Sequence, residues 1–295
     1  MPRHSRLGRF GIWSGAWGSA LRGDGPADMG EFGDAAAELD ALGYGTIWLG
    51  GSPAVDYAVP LLDAAPRVTV ATGILSIWDY GAAEVAAQRA AIEQRYPGRF
   101  VLGLGVSHEG IVERYTRPYS AMREYLDALD SAADPVPAQA RVLAALGPRM
   151  LELSRDRAAG AHPYLVTVEH TAQAREILGE HALLAPELKV VLDPDVESAR
   201  ETARGYLRFY LTLPNYTGNL LRLGFGEDDF RDGGSDRLVN AVFALGDADA
   251  VAGRAADFLA AGADHLAIQV VTGDPFRDLP RAAWRRLAEA LPMDG

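Results

Sequence analysis

The chain of 295 residues has no cysteine, and its only lysine is Lys189. No apolar run approaches the ~20 residues that a membrane-spanning helix requires. Without cysteine there are no disulfides, no thiolate metal sites and no cysteine nucleophile. A Schiff-base mechanism would rest on Lys189 alone, within the apolar run 188–192, and is set aside. Positive charge is also scarce: 28 Lys and Arg against 40 Asp and Glu give a net charge of −12. That balance argues against nucleic acid or an anionic membrane as a partner. No His-Glu-X-X-His and no close carboxylate cluster marks a metal centre. No Gly-X-Ser-X-Gly elbow marks a hydrolase, and no Gly-X-Gly-X-X-Gly opens a helix after the first strand. The polar start of the chain has no leader pattern, so a soluble, cytoplasmic protein is expected.

What is present is a repeat of strand, polar loop and amphipathic helix. A 48% hydrophobic composition is enough to bury one large core, so residues 1–295 are read as a single domain. Strands are expected near residues 9–13, 46–49, 67–77, from 100, 141–146, 163–166, 188–192 and 265–271. Helical patterns separate them, the first capped by Asp28. Eight β/α units with short links predict an α/β fold, a (β/α)8 TIM barrel, over an open doubly wound sheet. The segment 213–236 is too long for a simple connection. It is read as an insertion after strand seven, at the mouth or at an interface.

The stretch from Phe100 to Gly110 organises the rest. A short apolar run thins to Gly103 and Gly105 and ends on Ser107, His108 and Glu109. An ordinary glycine turn would read the same way. In barrels, however, chemistry sits at the carboxyl ends of strands. That rule selects Trp78, Asp79, Tyr80, Ser107, His108, Glu109, Glu169 and His170, and assigns His162 and His265, at strand starts, to structural roles. His4 and His181 read as solvated. Histidine suits proton transfer because its ordinary pKa of ~6.5 lies near working pH. Trp13, Trp17, Trp78 and Tyr80 gather aromatic surface at the mouth, suited to a flat conjugated ring or to lid packing. Gly147-Pro148-Arg149 opens a helix whose N–H groups could seat an anion.

Several stretches resemble a known family. They are Ala37-Glu38-Leu39-Asp40-Ala41-Leu42-Gly43-Tyr44-Gly45, Val70-Ala71-Thr72-Gly73-Ile74, Tyr96-Pro97-Gly98-Arg99-Phe100-Val101-Leu102-Gly103-Leu104-Gly105 and Ala144-Ala145-Leu146-Gly147-Pro148-Arg149-Met150. Together they resemble the luciferase-like monooxygenase superfamily, and within it the coenzyme F420-dependent oxidoreductases. The resemblance implies a barrel holding a deazaflavin, or FMN in some relatives, at its mouth. It implies a non-proline cis peptide at Gly73–Ile74 and a cofactor site at Trp13, Gly73, Ile74, Gly105, Val106, Ser107, Leu146, Gly147, Pro148 and Arg149. It further implies hydride transfer between the coenzyme and a small or medium organic substrate, with His108 aligned to the family's proton-transfer residue, in a homodimer. By position past the strands, Glu109 or His170 is expected to orient His108, and Tyr80 or His170 to stand in for it. Alternatives are an FMN-dependent monooxygenase and a cofactor-binding protein without turnover. The last follows from a departure: many relatives end strand two with an acidic residue and His, where this chain has Gly51 and Ser52.

Overall fold

Strands made for burial on both faces dominate the computed structural model, which describes residues 7–17, 29–109, 112 and 115–293. Asp28 and His4 lie outside the described residues. Phe10–Ser14 (β1), Thr46–Gly50 (β2) and Thr69–Gly73 (β3) are buried throughout, as parallel strands covered by helices must be. They are followed by Leu75–Ser76 (β4), Phe100–Gly105 (β5), Arg141–Leu143 (β6), Gly160–Ala161 (β7), Leu183–Leu184 (β8), Glu187–Val191 (β9), Phe243–Leu245 (β10) and Leu266–Val270 (β11). Every pairing is parallel.

The strands form one sheet in the order β10-β9-β11-β1-β2-β3-β5-β6-β7-β8, with β4 on β5. β8 pairs with β7, while β9 pairs with both β11 and β10. Only Ala185 and Pro186 separate β8, at one end of the path, from β9, second from the other end, so one piece of chain joins the two sides of the curled sheet. The result is a curled, TIM-barrel-like α/β fold. Four details differ from the sequence reading. Strand three divides at the Gly73–Ile74 peptide, which is cis, so the expected fourth strand is β5. The sixth strand is Gly160–Ala161 rather than 163–166, because Leu165 takes a positive φ of 54°. Two unexpected strands, β8 and β10, lie along β7 and β9. Segment 213–236 is largely helical: Pro214–Arg222 is an α-helix and Glu227–Gly233 a 3-10 turn.

Helices clothe the sheet. Val168–Leu178 (α1) starts on Thr167, whose hydroxyl accepts from the His170 N–H, and stops at Gly179 with φ 70°. Val196–Tyr210 (α2) starts on Asp195, which accepts from the N–H groups of Glu197 and Ser198. Its buried face is Ala199, Ala203, Tyr206 and Leu207, the spacing of one helical stripe. Pro214–Arg222 (α3) opens with proline at its first position, where the missing N–H costs no helical bond. Among the described residues no helix is long and apolar enough to cross a membrane.

Candidate active site

At the carboxyl ends of the strands the structure opens a cavity of about 1280 Å³, larger than the ~300–1,000 Å³ of most small-ligand pockets. One wall is made of β3 to β6 and depends on missing side chains. The Trp13 indole lies between Gly50 and Gly73. A Cβ on Gly50 would come 2.5 Å from the ring, and one on Gly73 would come 2.7 Å from Nε1. Trp13 Nε1 donates to the Gly73 carbonyl at 2.8 Å. Gly105 makes room for Ile74, whose Cδ1 would stand 2.4 Å from an added Cβ. Gly103 has another cause: the Thr72 carbonyl oxygen passes 1.9 Å from its absent Cβ. It serves strand pairing and does not line the cavity. The loop after β5 turns through Ser107 at φ 56°, and the Val106 carbonyl accepts from Trp78 Nε1 at 2.6 Å.

The facing wall is aromatic, and the sequence reading missed it. Tyr164, Tyr210 and Tyr216 line the cavity. The hydroxyls of Tyr164 and Tyr210 turn away from it into a buried network. Tyr164 Oη lies 2.5 Å from Tyr206 Oη and 2.9 Å from Gln269 Oε1, and Tyr206 Oη lies 2.9 Å from Tyr210 Oη. Behind them Lys189 Nζ donates to Glu187 Oε2 at 2.6 Å, with both side chains wholly buried. The ammonium sits 3.5 Å from the centre of the Tyr164 ring, a cation–π contact in a dry environment. Burial lowers the Lys189 pKa to about 8 against the pull of Glu187, and burial raises that of Glu187 against the pull of Lys189. The lysine that the sequence isolates is therefore the internal support of an aromatic wall.

Three groups of candidates fare differently. All ten residues expected to touch a cofactor (Trp13, Gly73, Ile74, Gly105, Val106, Ser107, Leu146, Gly147, Pro148, Arg149) line this one cavity. Of the four expected in proton transfer, His108 lines it too, with Nε2 3.5 Å from Tyr216 Oη and Asn215 beside it. Burial depresses its pKa, with the Asn215 contact opposing, which favours the neutral imidazole. The other three are off the lining. Glu109 is exposed, with a backbone bridge to Val112. Tyr80 is half-buried, with its hydroxyl 3.5 Å from the Ser52 carbonyl and its own carbonyl accepting from Tyr125. His170 is buried in the first turn of α1, its Nε2 2.9 Å from the Leu146 carbonyl, so it buttresses the loop after β6. Glu169, next to it, is exposed.

Two further expectations are corrected. Trp17 is fully buried away from the mouth, stacked on Trp284 with centroids 6.1 Å apart. His162 stands directly after β7 and not at a strand start, and it lines the cavity. His265 keeps a structural place: its Nε2 accepts from Trp48 Nε1 at 2.9 Å, and its Nδ1 lies 2.8 Å from the Gly8 carbonyl.

The rim gathers the cations. Gly147 caps the helix Pro148–Arg157, and Arg222 of α3 reaches to 3.9 Å from the site of a Gly147 Cβ. Arg149, one residue into that helix, lies over the Tyr119 ring at 4.3 Å. A helix start with two exposed guanidiniums forms a local positive region on an acidic protein. Segment 213–236 thus contributes Asn215, Tyr216 and Arg222 to the cavity wall.

Solved structures share this architecture. An F420-dependent secondary alcohol dehydrogenase, in complex with an F420–acetone adduct, aligns at TM-score 0.70 and 14% identity, over 97% of this chain and 98% of that one. The coenzyme F420-dependent tetrahydromethanopterin reductase of Methanopyrus kandleri aligns at 0.69 and 13%, over 97% and 99%. The oxygenating component of the FMN-bound 3,6-diketocamphane monooxygenase of Pseudomonas putida aligns at 0.65 and 14%, over 97% and 99%. At these identities the likeness concerns the fold. No curated protein matches the chain. The family model for luciferase-like monooxygenases matches residues 9–265, across both walls of the cavity, and the chain belongs to that family.

Proposed function

We propose that the protein is an F420-dependent oxidoreductase acting on a small or medium organic substrate. The observation that carries this reading is the layout of the cavity, with a recessed aromatic interior and a rim bearing Gly147, Arg149 and Arg222. A planar heterocycle with a long anionic tail uses both ends of such a site. The residues present fit the group. Trp13, Gly73, Ile74 and Gly105 would hold the ring, and the helix start at Gly147 with the two arginines would hold tail anions. When bound, the deazaflavin supplies the hydride chemistry, and the protein supplies orientation and proton handling.

In this reading His108 holds or releases a proton at the substrate oxygen. Its imidazole is neutral near pH 7, so it can accept a proton from a hydroxyl, and Tyr216 and Asn215 fix its ring. Tyr164 and Tyr210 have committed their hydroxyls to the buried network, so they act through ring surface and exclude water. The eight-unit barrel is completed by segment 213–236 as an insertion that delivers Arg222 to the tail, and the active form is a soluble homodimer. Tryptophan fluorescence titration tests the cofactor. F420 should bind more tightly than FMN, because FMN offers one short phosphate to a rim with several donors. Equal or tighter FMN binding replaces this reading with the FMN-dependent monooxygenase. Binding of F420 with no bleaching by any alcohol or carbonyl substrate pair leaves a binding protein without turnover.

A further inference from the structure

His162, on the lining of the cavity, carries an unused lone pair. The side chain is fully buried and stacked on Trp48, with ring centroids 4.1 Å apart and planes 10° apart. Its Nδ1 lies 2.7 Å from the Ala185 carbonyl oxygen. A carbonyl only accepts, so Nδ1 carries the proton and donates it. Nε2 is buried and has no hydrogen-bond partner among the described residues. Burial lowers the imidazole pKa to about 4, with the Ala185 bond opposing and His265 and Lys189 assisting. A neutral ring protonated at Nδ1 leaves Nε2 as a bare acceptor. Buried polar atoms without partners are rare and costly, which makes this one informative.

No nearby protein group is positioned to use it. His265 has both ring nitrogens engaged, by Trp48 and by the Gly8 carbonyl. The Trp48 indole N–H is spent on His265, and Lys189 Nζ, turned to Glu187 and the Tyr164 ring, makes no hydrogen bond to His162 Nε2. Since His162 lines the cavity, the atom missing from this arrangement is a donor brought by the ligand.

We propose that His162 Nε2 is the hydrogen-bond acceptor for an imide N–H at the inner end of the bound ring, and so fixes how deeply and in which orientation the heterocycle sits. This rests on the reading of the site as a flavin or deazaflavin pocket, since both rings carry an imide N–H at their pyrimidine end. The rigid stack on Trp48 and the Ala185 bond hold the acceptor in place before the ligand arrives, so little ordering is needed on binding. A ligand without that donor would leave Nε2 buried and unpaired.

The test uses ligand chemistry on the unaltered protein. FMN and F420 are each titrated beside their N3-methylated analogues, followed by tryptophan fluorescence. The wild type should prefer the N3–H form of the tighter cofactor by tenfold or more. The His162→Phe variant, which keeps an aromatic ring against Trp48, should bind both forms alike. Imidazole ¹⁵N spectra provide a second readout without substitution: the Nε2 resonance of His162 should move from a free to a hydrogen-bonded acceptor position as the cofactor saturates. Equal affinity of the wild type for methylated and unmethylated forms overturns the inference, as does a ¹⁵N signal unmoved at saturation. In those cases the cofactor still binds and the functional reading survives. Failure of both FMN and F420 to bind overturns the two together.

Discussion

The two walls of the cavity are built on opposite principles. The wall of β3 to β6 is shaped by what is absent: Gly50, Gly73 and Gly105 leave room for the Trp13 ring and the Ile74 side chain. The facing wall is filled by Tyr164, Tyr210 and Tyr216, packed ring against ring, with the Tyr164 and Tyr210 hydroxyls tied to Tyr206 behind them and the Lys189–Glu187 pair as support. The first wall is local, since each glycine answers chiefly to one side chain, Trp13 or Ile74. The second is collective, since its members come from β9, β11, α2, α3 and the turn after β7, and none has its role alone. A local wall tolerates damage in proportion to the volume added. A collective wall fails as a unit when its buried charge loses its partner.

The sharpest break should come at Lys189. Lys189→Met leaves Glu187 buried without its cation and should cost about 3–5 kcal/mol of stability in urea denaturation. Adding Glu187→Gln should restore most of the loss. A double variant no more stable than the single one would mean that the pair does not support the wall.

His108 stands where the two walls meet. His108→Ala should lower turnover by ~10²–10⁴-fold while leaving cofactor affinity nearly unchanged, measured by steady-state kinetics beside fluorescence titration. Normal turnover would move proton transfer elsewhere on the lining.

The lining at His162 should respond to acid. The folded-state pKa of His162 is held near 4, below the ordinary 6.5, so between those values the unfolded chain binds more protons than the folded one. Stability therefore rises with pH across that window, is complete above about 6.5, and is lost as pH falls toward 4. The contribution is on the order of 3 kcal/mol, and the difference in stability between wild type and His162→Gln across pH 4–7 reads it. A difference that does not vary with pH would contradict the buried neutral imidazole.

Gly105→Val should be milder in stability, at about 1–3 kcal/mol, because Ile74 is a side chain that can give way. It should weaken cofactor binding more than it weakens the fold. The opposite ranking would show that the glycine wall serves packing alone.

The legibility of the sequence follows the same division. Glycines at strand ends are visible because a residue without a side chain on a buried strand needs a reason, and Gly73 and Gly105 carried theirs in order. The Gly147 helix start was equally local. Glu109, Tyr80 and His170 lie off the cavity lining for one shared reason: being just past a strand does not say which way a side chain turns. Glu109 turns to solvent, and His170 turns to the Leu146 carbonyl. His162 was misread because its strand ends at Ala161, before the expected strand 163–166 begins.

The sequence by itself determined the alternation of strands and helices and the barrel-like class, because these depend on hydrophobic period, a property of short stretches; the residues that line the cavity followed from the family resemblance of equally short stretches. Only the tertiary structure decided that the single lysine faces Glu187 and the Tyr164 ring, that Tyr164, Tyr210 and Tyr216 from distant positions form one wall, and that His162 on the cavity lining keeps a buried nitrogen without a partner among the described residues. Those arrangements depend on which buried polar groups meet across the barrel. Such partners are separated by tens of residues along the chain and are joined only when the sheet curls.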